Sequence, residues 1–112
     1  MPQYVKWLGL PAKNHFYRSQ AARQAYRNWV EQLITRRNLV TGRLYRDDPS
    51  ILAWELANEP RCETDVGKPL AAGGATFIAW VTEMSRSLRS HGASTQISVG
   101  AEGSFPPPAP RG

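Results

Sequence analysis

Apolar positions in this chain recur in two rhythms. Between residues 19 and 38, Ala22, Ala25, Tyr26, Trp29, Val30, Leu33 and Ile34 return every three or four residues, while Arg23, Arg27 and Glu31 fall off that stripe. The spacing predicts a helix over 19–38 with Ser19 as its N-cap. A second stripe, Phe77, Ile78, Trp80, Val81, Met84 and Leu88, predicts a helix over 75–90 that Gly92 stops. The other rhythm is the short continuous run Ile51-Leu52-Ala53-Trp54-Glu55-Leu56-Ala57, apolar on both faces except at Glu55. Bounded by the turn-rich stretch Thr41–Ser50 and closed by Pro60, it predicts a strand of a parallel sheet covered on both sides. Gln96-Ile97-Ser98-Val99 predicts a second strand, ending at Gly100. Trp29, Trp54 and Trp80 lie on packing faces and are assigned to the core. Met1–Tyr17, punctuated by Pro2, Gly9, Pro11 and Asn14 and without a sustained period, reads as loop, and so does Arg61–Gly74.

The order helix–strand–helix–strand makes one βαβ unit preceded by an extra helix. Parallel strands require a crossover, here the second helix, and two strands cannot bury both faces of a sheet. The expectation is an α/β architecture whose remaining strands lie outside this sequence. Residues 106–112, with prolines at 106, 107, 108 and 110, can form neither helix nor inner strand and are expected to be a disordered tail.

A length of 112 residues sets one domain as the ceiling, and an apolar fraction of 41% is that of a globular chain. No stretch has the apolar length of a membrane span, so no membrane partner is expected. Met1–Leu10 does not read as a signal peptide. The single Cys62 allows neither an internal disulfide nor a Cys-rich zinc site, and the two histidines, His15 and His91, lack metal-ligand spacing. No cofactor is expected. The net charge of +5 is carried by eleven arginines against three lysines. Seven of the arginines lie between Arg18 and Arg46, opposed within that span by Glu31 before the acidic turn. Such a stripe suits phosphates, but no base-reading motif accompanies it, so it reads as a solvated helix face without a nucleic-acid partner.

The chemistry-bearing residues stand at the carboxyl end of the first strand, as Asn58-Glu59-Pro60. In parallel α/β folds that end faces the rim where loops meet ligand. A carboxyl group there, next to an amide and before a chain-turning proline, is placed to meet a substrate. Taken alone, an acidic residue at a strand end also serves as a helix cap or a surface ion-pair member.

The longer string Ile51-Leu52-Ala53-Trp54-Glu55-Leu56-Ala57-Asn58-Glu59-Pro60-Arg61-Cys62 resembles the fourth-strand segment of glycoside hydrolase family 5. Ala53-Trp54-Glu55-Leu56-Ala57 before the motif and Arg61-Cys62 after it resemble its endo-β-1,4-mannanases rather than its cellulases. Met1-Pro2-Gln3-Tyr4-Val5-Lys6-Trp7 is similar to the loop after strand 3, and Ile97-Ser98-Val99-Gly100-Ala101-Glu102-Gly103 to the end of strand 5. The resemblance implies a piece of a (β/α)8 TIM barrel, from the loop after strand 3 through strand 5, with residues 1–105 as part of a catalytic domain.

It also implies roles. Glu59 would be the general acid/base, protonating the leaving oxygen and then deprotonating water. Asn58 would bind the sugar 2-hydroxyl, and Arg61 the leaving-group side of the cleft. Tyr4 and Trp7 would stack on pyranose rings, and Glu102 would be a rim residue hydrogen-bonding sugar hydroxyls. Glu55, four residues before Glu59 and of the same strand parity, would point into the barrel interior as a structural residue. Retaining hydrolysis needs a second carboxylate about 5–5.5 Å from the first. The family supplies it at strand 7, for which this sequence has no counterpart.

The expected substrate is mannan, galactomannan or glucomannan, the full-length family member being secreted. The chain itself is expected to be an incomplete barrel, from truncation, a mis-started frame or a frameshift. It would then be inactive alone and marginally folded. A non-catalytic carbohydrate-binding remnant and a basic nucleic-acid-binding module remain as alternatives. Retention on insoluble mannan, against steeply salt-dependent binding to DNA or RNA, separates those two.

Overall fold

The computed structural model describes residues 1–62 and 73–101. Three helices precede the sheet: α1 (Pro2–Trp7), α2 (His15–Arg18) and α3 (Gln20–Ile34). A single 3-10 turn over Tyr45–Asp47 leads into β1 (Ala53–Glu55); α4 (Gly73–Ser90) then crosses over to β2 (Gln96–Ser98). The two strands pair in parallel, with Ala53 opposite Gln96, Trp54 opposite Ile97 and Glu55 opposite Ser98. This is the βαβ unit that the two rhythms predict.

The N-terminal segment departs from the expected loop. Pro2 sits in the first turn of α1, where its missing N–H costs no helical bond. Gly9, at φ 61°, ends the helix. Its N–H reaches Lys6 O at 3.2 Å, and the N–H of Leu10 reaches Val5 O at 2.9 Å. That paired arrangement is a Schellman cap. Six residues are too few to display a period, so the helix is visible only through its packing. Tyr4 and Val5 lie against the core from its edge.

α3 begins where expected, the Ser19 Oγ accepting from the Ala22 N–H at 3.3 Å. It stops at Ile34 rather than Asn38. The Asn38 Oδ1 accepts from the N–H groups of Val40 at 2.9 Å and Thr41 at 3.3 Å, so its side chain builds a turn in competition with a further helical turn. Backbone bonds from Asn38 N to Arg43 O (2.7 Å) and from Tyr45 N to Arg36 O (2.9 Å) close that turn, which Gly42 completes at φ 73°. At the other end of the fold α4 stops at Gly92 by a second Schellman cap, with Gly92 N to Arg89 O and Ala93 N to Leu88 O both at 3.1 Å.

The core lies between the helices and one face of the sheet. Phe16, Tyr17, Ala22, Val30, Ile34, Leu56, Trp80, Met84, Leu88 and Ala93 are buried together. Trp80, 1% exposed, is its centre: the rings of Tyr26, Tyr17 and Phe16 stand 5.1, 5.3 and 5.7 Å from it. Edge-on and tilted ring packing of this kind adds stabilisation beyond the apolar area removed from water.

Two expectations about the arginine stripe and the tryptophans are corrected here. Arg23 and Arg27 are half-buried and do not form a solvated face. Both pair with Glu83 of α4, Arg23 Nη1 at 2.6 Å from its Oε2 and Arg27 Nη1 on its Oε1. The opposing charge comes from a helix sixty positions further along the chain, out of reach of a local charge count. Trp29 is not core: it is 53% exposed. It lines a groove of about 120 Å³ with Leu33 of α3 and Trp54 of β1, along the strand edge that has no partner among the described residues. Trp54, as expected, packs against the core.

The sheet's two faces differ in the same way. Trp54 and Ile97 turn toward the helices and are half-buried, whereas Ala53, Glu55, Gln96 and Ser98 are exposed on the other face. Leu52, just before β1, is 80% exposed. The both-sides burial predicted for this run therefore holds for one side within the described residues.

Candidate active site

Past Glu55 the chain leaves the ladder yet stays attached to β2. The Leu56 N–H donates to Ser98 O at 2.9 Å, and the Glu59 N–H donates to Gly100 O at 2.9 Å. From the helical side, the Tyr26 hydroxyl donates to Leu56 O at 2.6 Å. Glu59 itself adopts φ 46°, the left-handed region that side-chain-bearing residues enter at a cost of about 1–3 kcal/mol and that concentrates at functional sites. Among the described residues it is the only non-glycine with positive φ. Side-chain alternation therefore holds through Leu56, which joins Trp54 on the helical side, and the parity argument that links Glu55 to Glu59 does not extend across the turn that follows.

The turn carries its polar side chains outward. Asn58 and Glu59 are exposed, and Pro60 behind them is buried. Arg61 is exposed as well and engages a partner. Cys62 is half-buried; burial pushes its thiol above its ordinary range, and Arg18 nearby opposes that shift.

Gly100 closes the site from below. At φ 80° it brings its Cα under the Ala57 carbonyl, where an added Cβ would overlap that oxygen outright. The same Cβ would stand 2.5 Å from Glu55 Oε1 and 2.8 Å from Glu55 Cγ. Contacts that close leave room for no side chain.

The aromatic candidates occupy different settings. Trp7 is 71% exposed, with its ring 5.9 Å from that of Tyr4 in an edge-on arrangement. Tyr4 is half-buried, its ring 5.5 Å from Phe16. Burial raises its phenol above the ordinary value. Burial also pushes Tyr26 up to about 12, with the nearby Tyr4 phenol adding to the shift. The Tyr26 hydroxyl thus stays protonated, a donor, across the neutral range. Glu102 lies outside the described residues. Among the described residues no three His, Cys, Asp or Glu side chains gather as they would around a metal ion. His91 instead faces Glu31, with Nε2 4.0 Å from Oε2.

Tyr26 and Gly100 were legible only as a stripe residue and a strand end. Nothing in the spacing of either signals that both touch the exit of β1.

This arrangement has known counterparts. The family model described as glycoside hydrolase family 5, β-mannosidase-like, matches residues 3–107. Mannan endo-1,4-β-mannosidase 5 of Arabidopsis thaliana is 41% identical over 116 residues, covering 98% of this chain and 26% of its own length. Mannan endo-1,4-β-mannosidase 1 of rice, Oryza sativa subsp. japonica, is 39% identical over 108 residues, covering 92% of this chain and 24% of its own. The endo-β-1,4-mannanase of Thermotoga petrophila superposes with a TM-score of 0.85 at 40% identity, over 99% of this chain and 23% of that one. The endo-1,4-β-mannanase of Rhizomucor miehei does so with a TM-score of 0.84 at 32% identity, over 97% and 31%. This chain spans about a quarter of the length of the curated relatives it matches. Sequence and fold agree, and the chain belongs to the β-mannosidase-like members of glycoside hydrolase family 5.

Proposed function

We propose that this chain contributes the acid/base half of a retaining endo-β-1,4-mannanase site, which cleaves internal β-1,4-mannosidic bonds of mannan, galactomannan or glucomannan. The observation that carries the reading is Glu59: an exposed carboxyl on a left-handed backbone at the exit of a parallel strand, inside the Asn58-Glu59-Pro60 motif. The exposed sheet face of Ala53, Glu55, Gln96 and Ser98 supports β1 and β2 as strands 4 and 5 of a (β/α)8 barrel, since that face would look into the barrel interior. On this reading residues 1–105 are part of the catalytic domain, and the full-length protein is secreted.

The reaction proceeds in two steps. A carboxylate supplied by strand 7 attacks the anomeric carbon while Glu59 gives its proton to the departing glycosidic oxygen. Glu59, now a carboxylate, takes a proton from water, and the resulting hydroxide oxygen displaces the enzyme carboxylate from the sugar. Asn58 holds the 2-hydroxyl, Arg61 and Glu102 bind on the cleft rim, and Trp7 and Tyr4 offer ring faces to the sugar. The isolated 112-residue chain releases no mannooligosaccharides, because one carboxylate cannot carry both steps.

The test places residues 3–107 in the matching span of the Thermotoga petrophila mannanase. Glu59→Ala should depress turnover of mannan by about 10²–10⁴-fold. An aryl mannoside with an activated leaving group needs little proton assistance, so its kcat/KM, which reports the first step alone, should fall far less. Equal loss on both substrates would remove Glu59 from the acid/base role.

A further inference from the structure

Three of the four positions after β1 are tied to something distant in sequence. Leu56 N–H goes to Ser98 O, and Leu56 O receives the Tyr26 hydroxyl. The Ala57 carbonyl lies over the bare Cα of Gly100, and the Glu59 N–H goes to Gly100 O. Asn58 is bracketed between these anchors. Glu59 has no free choice of backbone once they are made, which is how a non-glycine residue persists at φ 46°.

We infer that Tyr26 and Gly100 are positioning residues for the Glu59 carboxyl, one gripping the strand exit from helix α3 and the other from the end of β2. Neither is a catalytic residue. The inference rests on the acid/base reading of Glu59 and adds what aims that carboxyl. Gly100 does two things. Its carbonyl accepts the Glu59 N–H, and its lack of a side chain leaves the space that the Ala57 carbonyl fills. Any Cβ at position 100 must push the Ala57 peptide away, and Glu59 lies only two residues along. Tyr26 adds a donor that remains protonated through the neutral range and is braced by Trp80, with ring centres 5.1 Å apart. Without its hydroxyl the Leu56 carbonyl loses its hold from the helical side.

Both residues are tested in the same grafted enzyme, using β-mannan and an activated aryl β-mannoside as the two substrates. Gly100→Ala should lower kcat on mannan about a hundredfold, the scale of an ångström-sized misplacement of a reacting group. Tyr26→Phe, which keeps the ring in the core, should lower it about tenfold, consistent with the loss of one hydrogen bond. In both variants KM for mannan should hold and kcat/KM for the activated substrate, which reports the first step alone, should change little, because that step needs little proton donation from the misaimed carboxyl. Should Gly100→Ala fail to fold, Tyr26→Phe decides the question by itself. A parallel fall on both substrates, or a loss confined to thermal stability, would overturn the inference while leaving Glu59 its role. Failure of the acid/base reading looks different: Glu59→Ala would then lack the leaving-group asymmetry altogether.

Discussion

The two sides of the β1–β2 sheet are built to different degrees. On the helical side Trp80, Phe16, Tyr17, Met84 and Leu88 close into a core with the rings in contact. On the other side Ala53, Glu55, Gln96 and Ser98 are exposed, and at the open strand edge of the helical side Trp29 of α3 is left half in water. A sheet is stable when both of its faces are covered, so the described chain has a finished interior and an unfinished one. The site belongs to neither alone. Glu59 stands at the rim where they meet, held by Tyr26 from the finished side and by Gly100 from the sheet.

The largest effect that tests this contrast comes from Trp80. Trp80→Ala in the grafted enzyme should cost about 3–5 kcal/mol, the range for emptying a fully packed aromatic site. In the isolated 112-residue chain the same change should leave no cooperative thermal transition. If Trp80→Ala left the isolated chain as much of its transition as Trp29→Ala does, the distinction between the closed core and the open strand edge would be lost.

The next effect is optical. In the isolated chain Trp29 should emit at long wavelength and be quenched by acrylamide several-fold more strongly than Trp80, as read from variants that keep one of the two with the other tryptophans replaced by Phe. In the grafted enzyme neighbouring strands and helices should cover the groove, and the Trp29 signal should approach that of Trp80. A Trp29 equally protected in both settings would show the groove to be closed by this chain itself.

The smallest effect is expected in the turn before β1, which belongs to neither interior. The side-chain hydroxyl and backbone N–H of Ser50 donate to Asp48 Oδ1 at 2.7 and 2.9 Å, and they hold its carboxyl below the ordinary value, with Arg43 helping. A depressed folded value means that the stabilisation is present above the unfolded pKa and is lost as pH falls through the folded one. Ser50→Ala should therefore raise the Asp48 titration midpoint in carboxyl ¹³C spectra, with no measurable change in neutral-pH stability. An unchanged midpoint would transfer the shift to the Ser50 backbone N–H, which the substitution keeps, and to Arg43.

Much of this was legible beforehand, for identifiable reasons. α3 and α4 are long enough to repeat their apolar stripes, and Ser19 and Gly92 mark their ends with local chemistry. α1 escaped because six residues hold no period, although Gly9 is the same kind of helix stop as Gly92. The end of α3 is not readable from its stripe because the Asn38 side chain competes with the helix, an outcome that depends on Arg43 and Tyr45 closing the turn. Trp29 lies on the apolar stripe of α3, but a stripe shows which face is apolar and not whether a neighbour covers it. Glu59 could be singled out from its motif; Glu102, singled out with it, falls outside the described residues.

What the sequence determined by itself is what short-range physics decides: two amphipathic helices, two strands between turn signals, and a carboxyl in a motif at a strand's end. What only the tertiary structure decided depends on partners far apart in the chain. Glu83 neutralises Arg23 and Arg27 across two helices, and Tyr26 and Gly100 meet the same strand exit from opposite sides. The left-handed backbone of Glu59 is the clearest case. A glutamate does not prefer that conformation locally, so no local pattern announces it; it persists because hydrogen bonds from distant residues and one missing Cβ leave the chain no cheaper path.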